Sequence, residues 1–135
     1  MKTDLRTIAR LIQTREVSPV EVAEAHLERI ARLNPELNAI VTLAPDVIER
    51  AREAEAAVMR GESVGALHGV PLTIKDTIET AGLRTTSGSM MRVDYVPTCD
   101  APAVARLKAA GAIILGKSNA AEKPATLHQC GNPIW

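Results

Sequence analysis

The sequence predicts an α/β fold, with N-terminal helices followed by the start of a mixed, largely parallel sheet that contains a βαβ crossover. Three observations carry that expectation. Apolar residues recur at helical spacing through the first sixty positions. At Gly61 the character changes to glycine-marked loops and short β-branched runs. Two of those runs then flank a helix-like segment, the pattern of neighbouring parallel strands.

Leu5, Ile8, Leu11 and Ile12 give a short amphipathic helix. Ser18-Pro19-Val20-Glu21 is a capping box with proline at the first helical position. It opens a second helix that turns Ala23, Leu27 and Ile30 inward and is expected to stop near Asn34-Pro35. Residues 38–43 form a short apolar run that reads as extended. A third helix is expected from about Asp46 to Arg60, burying Val47, Ala51, Ala54 and Val58, with Gly61 as its stop. Val70 to Lys75 reads as a strand with Val70, Leu72 and Ile74 on one face and Thr73 and Lys75 on the other. Thr85 to Met91 reads as loop. Asp100 is the expected cap of a fourth helix with Pro102 in its first turn, Val104 and Leu107 inward, and Gly111 at its end. Ala112 to Leu115 is the second strand of the crossover.

Composition narrows the function. The chain has 135 residues and 16 basic against 16 acidic side chains, so no basic footprint points to nucleic acid. Phe is absent, and Tyr95 and Trp135 stand alone, which excludes an aromatic cage or a base-stacking platform. With 21 alanines the core has to be aliphatic and closely spaced. No stretch approaches a membrane span, and charges interrupt the N-terminus where a signal peptide would be apolar. Cys99 and Cys130 read as reduced thiols, and a cytoplasmic location is expected.

Gly111 to Ser118 satisfies the G-x-x-x-x-G-K-[ST] pattern of a phosphate-binding loop, and a nucleotide binder acting through residues 111–118 is the rival it suggests. The context argues against it. The helix comes before the pattern rather than after, and the variable positions are the apolar Ala-Ile-Ile-Leu of a strand. Their amides are needed for a sheet ladder and cannot also cradle an anion.

The informative stretch is Gly65-Ala66-Leu67-His68-Gly69-Val70-Pro71-Leu72-Thr73-Ile74-Lys75-Asp76. A lysine ending so apolar a strand is either a solvated or ion-paired side chain, or a desolvated one whose lowered pKa suits a base. The segment is followed by Gly82-Leu83-Arg84-Thr85-Thr86-Ser87-Gly88-Ser89, then by the helix from Asp100 to Gly111, then by Gly116-Lys117-Ser118-Asn119 and Glu122. In this order the pieces resemble the amidase signature family from about Gly65 to Glu122.

The resemblance implies hydrolysis of a linear carboxylic amide by a Ser–cis-Ser–Lys triad. One serine attacks the carbonyl, a second in a cis peptide bond relays the proton, and a neutral lysine accepts it. Carried over by motif, Lys75 is the lysine, and Ser89 and Asn119 are site-shaping residues. No metal and no cofactor is implied, and the partner is a small-molecule amide, with no nucleic acid and no membrane.

Both catalytic serines belong, in family order, to Gly/Ser-rich motifs after the Gly-Lys-Ser-Asn element, and none follows Asn119. Ser87 and Ser89 precede the crossover helix and are poor substitutes. Asn132-Pro133-Ile134-Trp135 again looks like the family, so the chain reads as stopping inside a pattern. The expectation is the N-terminal portion of one amidase domain: a helical segment 1–61, a lysine-containing segment 62–123 and a truncated tail 124–135. Such a piece would supply the lysine, or else be a non-catalytic remnant or a partner-dependent fragment. An unpaired sheet edge would favour self-association. His26 is expected at the surface, His68 near the site. His128 and Cys130 lack a second pair at zinc spacing.

Overall fold

A computed structural model describes residues 4–62, 64–121 and 132–134. The element order is α1 (Leu5–Gln13), α2 (Pro19–Leu37), β1 (Ile40–Leu43), α3 (Val47–Met59), β2 (Pro71–Lys75), a single 3-10 turn (Met90–Arg92), α4 (Pro102–Ala109) and β3 (Ile113–Ser118). Among the described residues three strands form a mixed sheet in the order β1-β3-β2. β2 and β3 are parallel and β1 is antiparallel to β3, so the crossover predicted from the two apolar runs is present.

Local sequence sets these elements. The Ser18 N–H donates to the Glu21 carboxylate at 3.0 Å while Ser18 Oγ accepts from the Val20 N–H at 2.9 Å, which opens α2 as a capping box. The helix does not stop at Asn34-Pro35 as expected; Pro35 lies inside its last turn. The missing N–H costs one backbone bond, and Asn38, in the left-handed conformation, closes the end by donating to Asn34 O at 2.8 Å. The Asn34 side chain meanwhile exchanges two bonds with the Ile40 backbone, at 2.7 and 2.8 Å, and so fixes where β1 begins.

The start of α4 also differs from expectation. Its N-cap is Ala101, and Asp100 makes no capping bond. The Asp100 carboxylate is turned instead to the Ala81 N–H at 2.8 Å and to the Lys108 ammonium at 2.8 and 2.9 Å. A charged partner outcompetes an orphan amide. The fourth helix is thereby tied to the loop after β2 rather than capped.

Alanine is what lets the layers approach. Ala23 of α2, with Val47, Ala51 and Ala54 of α3, packs in one cluster with Ile74, Leu83, Val104, Ile113, Ile114 and Leu115. Ala9, Ile12, Val58 and Val70 form a second cluster beneath α1. All four α3 residues expected inward are buried. Residues of the first sixty positions and of the sheet thus share their cores. β3 is buried on both faces, as a central strand with a continuous apolar run should be.

β3 continues past the expected Leu115 through Gly116, Lys117 and Ser118. Gly116 sits at φ +155°, and a Cβ there would lie 2.1 Å from Thr42 O of β1. The glycine of the phosphate-loop pattern is therefore required by strand-to-strand approach. Gly116→Ala is expected to lower stability by about 3 kcal/mol or more, since a backbone carbonyl cannot yield as a side chain can. Urea unfolding of the variant measures it, and a loss below about 1 kcal/mol would contradict the stated clash.

Candidate active site

Lys75 ends β2 and pairs in register with Ser118, the last residue of β3. The carboxyl ends of adjacent parallel strands are where open α/β sheets present their chemistry. The chain turns there. The Asp76 N–H donates to Ser118 O at 2.9 Å, and Ile78 N–H donates back to Lys75 O at 2.9 Å. Asp76 is fully buried and its carboxylate accepts from the Thr86 N–H at 3.2 Å and from the Thr86 hydroxyl. Ser87 N–H donates to Asp76 O at 3.2 Å. The Thr/Ser/Gly turn of residues 86–89 is thus pinned beside the residue that follows Lys75. Ser87 itself is at φ +55°, a left-handed conformation that a non-glycine residue adopts only when its surroundings impose it.

Lys75 is exposed. Of the two readings of a lysine at this position, the described residues show the solvent-exposed one: its face of β2, shared with exposed Thr73, is turned away from the buried Ile74. Ser89 is half-buried, precedes the 3-10 turn without capping it, and donates its N–H to Thr86 O at 3.1 Å. Asn119 is a junction. Its N–H and side-chain amide donate to Ala39 O and Asn38 O at 2.8 and 2.9 Å, and its Oδ1 accepts from Asn132 at 2.9 Å. Lys75, the 86–89 turn and Asn119 therefore gather at one end of the sheet. His68 does not. It lies before β2, at the opposite end of that strand, with Nε2 2.9 Å from Ala54 O. His26 is half-buried rather than at the surface, its Nδ1 2.7 Å from Val22 O. His128, Cys130, Glu122 and Trp135 lie outside the described residues. Among the described residues no group of three His, Cys, Asp or Glu side chains could hold a metal ion.

The buried lysine is Lys117, which the sequence presents as an element of the phosphate-loop pattern and of the Gly116-Lys117-Ser118-Asn119 piece, with no sign of its burial. It has no solvent exposure, and its ammonium donates to Thr85 Oγ1 at 2.8 Å, to Thr80 Oγ1 at 3.1 Å and to the Ile78 carbonyl. All three of its protons have acceptors. Burial pushes its pKa down from the usual 10.5 to about 8, against the opposing pull of Asp76, Asp100 and Glu79. The β3 backbone around it is held in the sheet ladder, so residues 111–118 have neither the amides nor the lysine free for a nucleotide. Asp100 runs the other way: burial would raise it, but the Lys108 ammonium and the Ala81 N–H outweigh that and hold its carboxyl below the ordinary value. A cleft of about 190 Å³ runs between Asp46, Arg50, Thr80, Gly82 and Lys108, and does not include Lys75. Its charges are already paired, Asp46 with Arg50 at 2.7 Å and Asp100 with Lys108.

At this end of the mixed sheet Lys75 is the last residue of the strand that the serine-bearing 86–89 turn follows. The amidase family model matches residues 21–134, and this chain belongs to the amidase family. It is 44% identical over 115 residues to one subunit of the glutamyl-tRNA(Gln) amidotransferase of Bdellovibrio bacteriovorus, covering 85% of this chain and 24% of that protein. A putative amidase of Mycobacterium bovis is 43% identical over 117 residues, 86% of this chain and 25% of the relative. The native peptide amidase of Stenotrophomonas maltophilia superposes with a TM-score of 0.82 at 36% identity, over 87% of this chain and 25% of that one. A bacterial aryl acylamidase of the amidase signature family superposes at 0.81 with 27% identity, over 89% and 26% of the two chains. The chain spans about a quarter of the length of these relatives.

The buried groups make two outcomes measurable. Between pH 8 and 10.5 the unfolded chain binds more protons at Lys117 than the folded one, so this residue makes stability rise with pH across that window. Urea midpoints in wild type and Lys117→Met, compared from about neutral pH to the top of that window, should isolate a rising component present only in wild type. Asp76→Ala should cost about 2–3 kcal/mol by stranding the Thr86 N–H and hydroxyl, with amide exchange accelerating first at Thr86 and Gly88.

Proposed function

We propose that this chain supplies the general base of an amide hydrolase, with Lys75 taking the proton relayed from a serine nucleophile carried by sequence beyond residues 4–121. The observation that carries the reading is the position of Lys75: it ends a parallel strand in the Leu67-x-Gly69-Val70-Pro71 context of an amidase-family chain, beside the pinned 86–89 turn. Ser89 and Asn119 shape the same end of the sheet. Lys75 is exposed among the described residues. Its activation requires further polypeptide over the end of the sheet, which would desolvate the ammonium and bring serine and oxyanion donors to it. The relatives include a peptide amidase, an aryl acylamidase and a glutamyl-tRNA(Gln) amidotransferase subunit, and the substrate class common to them is the linear carboxylic amide.

The test joins this chain to the serine-bearing remainder of the Stenotrophomonas maltophilia peptide amidase. The joined enzyme is expected to hydrolyse linear amides, with Lys75→Ala lowering kcat about 10³-fold, within the range of a positioned base. A kcat unchanged by Lys75→Ala would refute the assignment. The 135 residues alone should show no turnover.

Part of the surface fits the same picture. Ile78, Met90, Met91, Tyr95 and Val96 are exposed in the segment between β2 and α4, Met91 at 95%. Apolar side chains concentrated on one connection favour association, and the isolated chain is expected to self-associate. Light scattering at increasing concentration measures this, and a monodisperse monomer throughout would contradict it. No helix among the described residues is long and apolar enough to cross a membrane. A cytoplasmic location is proposed on the two-cysteine composition.

A further inference from the structure

We propose that Lys117 is a positioning residue for the Lys75 site: its buried ammonium fastens the loop after β2 to β3 and thereby sets where Lys75 and the 86–89 turn stand. The proposal rests on the reading of Lys75 as the base, and adds to it a second lysine that touches no substrate.

The geometry is a chain of short connections. Lys117 is the register partner of Ile74, and Ser118 is the partner of Lys75, so the two lysines lie on adjacent strands one register step apart. From β3, Lys117 reaches across to three acceptors on one loop: Ile78 O, Thr80 Oγ1 and Thr85 Oγ1. The loop leaves β2 directly after Lys75 and returns to it at Thr86, which Asp76 grips through two donors. Ammonium and carboxylate thus hold the two ends of a single 76–86 loop, and Asp76 is also the anion that acts most strongly on Lys117. Glu79 and Asp100 are the other acidic groups that act on it; Glu79 is held by Arg92 and Tyr95, and Asp100 by Lys108 and the Ala81 N–H.

Three acceptors need three N–H donors, and only the ammonium has them. A neutral amine offers two and leaves one loop oxygen unpartnered in a site with no solvent. The loop should therefore loosen as the pH passes about 8, even though the fold as a whole gains stability as Lys117 sheds its charge. Those opposite responses separate a positioning role from a merely structural one.

The test uses the 135-residue chain and, separately, the joined enzyme. In the isotopically labelled chain, Lys117→Met and the milder Thr85→Val, which removes one acceptor and keeps the charge, are expected to shift the backbone amide signals of Asp76 and residues 86–89. The wild-type signals should also titrate near pH 8 and those of Lys117→Met should not. In the joined enzyme both variants should lower kcat, Lys117→Met at least tenfold and Thr85→Val severalfold, with KM within twofold. Should Lys117→Met fail to fold, Thr85→Val alone decides. Unmoved amide signals, or a kcat within a factor of two in a folded variant, would overturn the positioning role. If instead Lys75→Ala leaves kcat intact while the amide signals move as stated, the base assignment fails and the loop-fastening survives.

Discussion

The end of the sheet where Lys75 and Asn119 lie depends on a buried positive charge being fully satisfied. An ammonium removed from water is costly unless each proton finds an acceptor. Lys117 finds three, and all of them lie on the loop that follows β2. The crossover that makes β2 and β3 parallel is therefore more than a connection. It has to leave β2, offer a carbonyl and two hydroxyls to the neighbouring strand, and return to Asp76 before it can proceed to α4.

The packing that surrounds this network is made of small residues. Ala23, Ala44, Ala51 and Ala54 let α2 and α3 come close to a sheet of three strands, and no large ring has to be accommodated. Such a core is dense but thin. It gains its cohesion from many short contacts, and a polar network with fully matched partners adds the positional definition that aliphatic contacts alone do not supply.

Much of the scaffold is legible in the residues because local signals agree with the global arrangement. The Ser18 capping box, the inward Val47-Ala51-Ala54-Val58 stripe, the Val70–Lys75 strand and the Gly111 stop each describe a segment whose neighbours in space matter little to its form. Local signals fail where a distant partner decides. Pro35 is carried inside α2 because Asn34 is bound to Ile40 and Asn38 closes the turn. Asp100 abandons its cap for Lys108. Lys117 has the look of half a phosphate loop, and its acceptors 32 to 39 residues away in the chain are invisible to any local pattern. At Lys75 the local signal holds: alternation along β2 places it with Thr73 on the face opposite Ile74, and there both are exposed.

The order of the sheet has a consequence for how the chain comes into being. Of the three strands β1 is made first and β3 last, yet β1 pairs with β3 and not with β2. During synthesis the helices can form and cluster while Ile40 to Leu43 waits, its backbone unpaired, until Gly116 and Ser118 emerge to receive it. Contacts so distant in sequence are slow to close. The last of the three strands to leave the ribosome is the one on which both others depend.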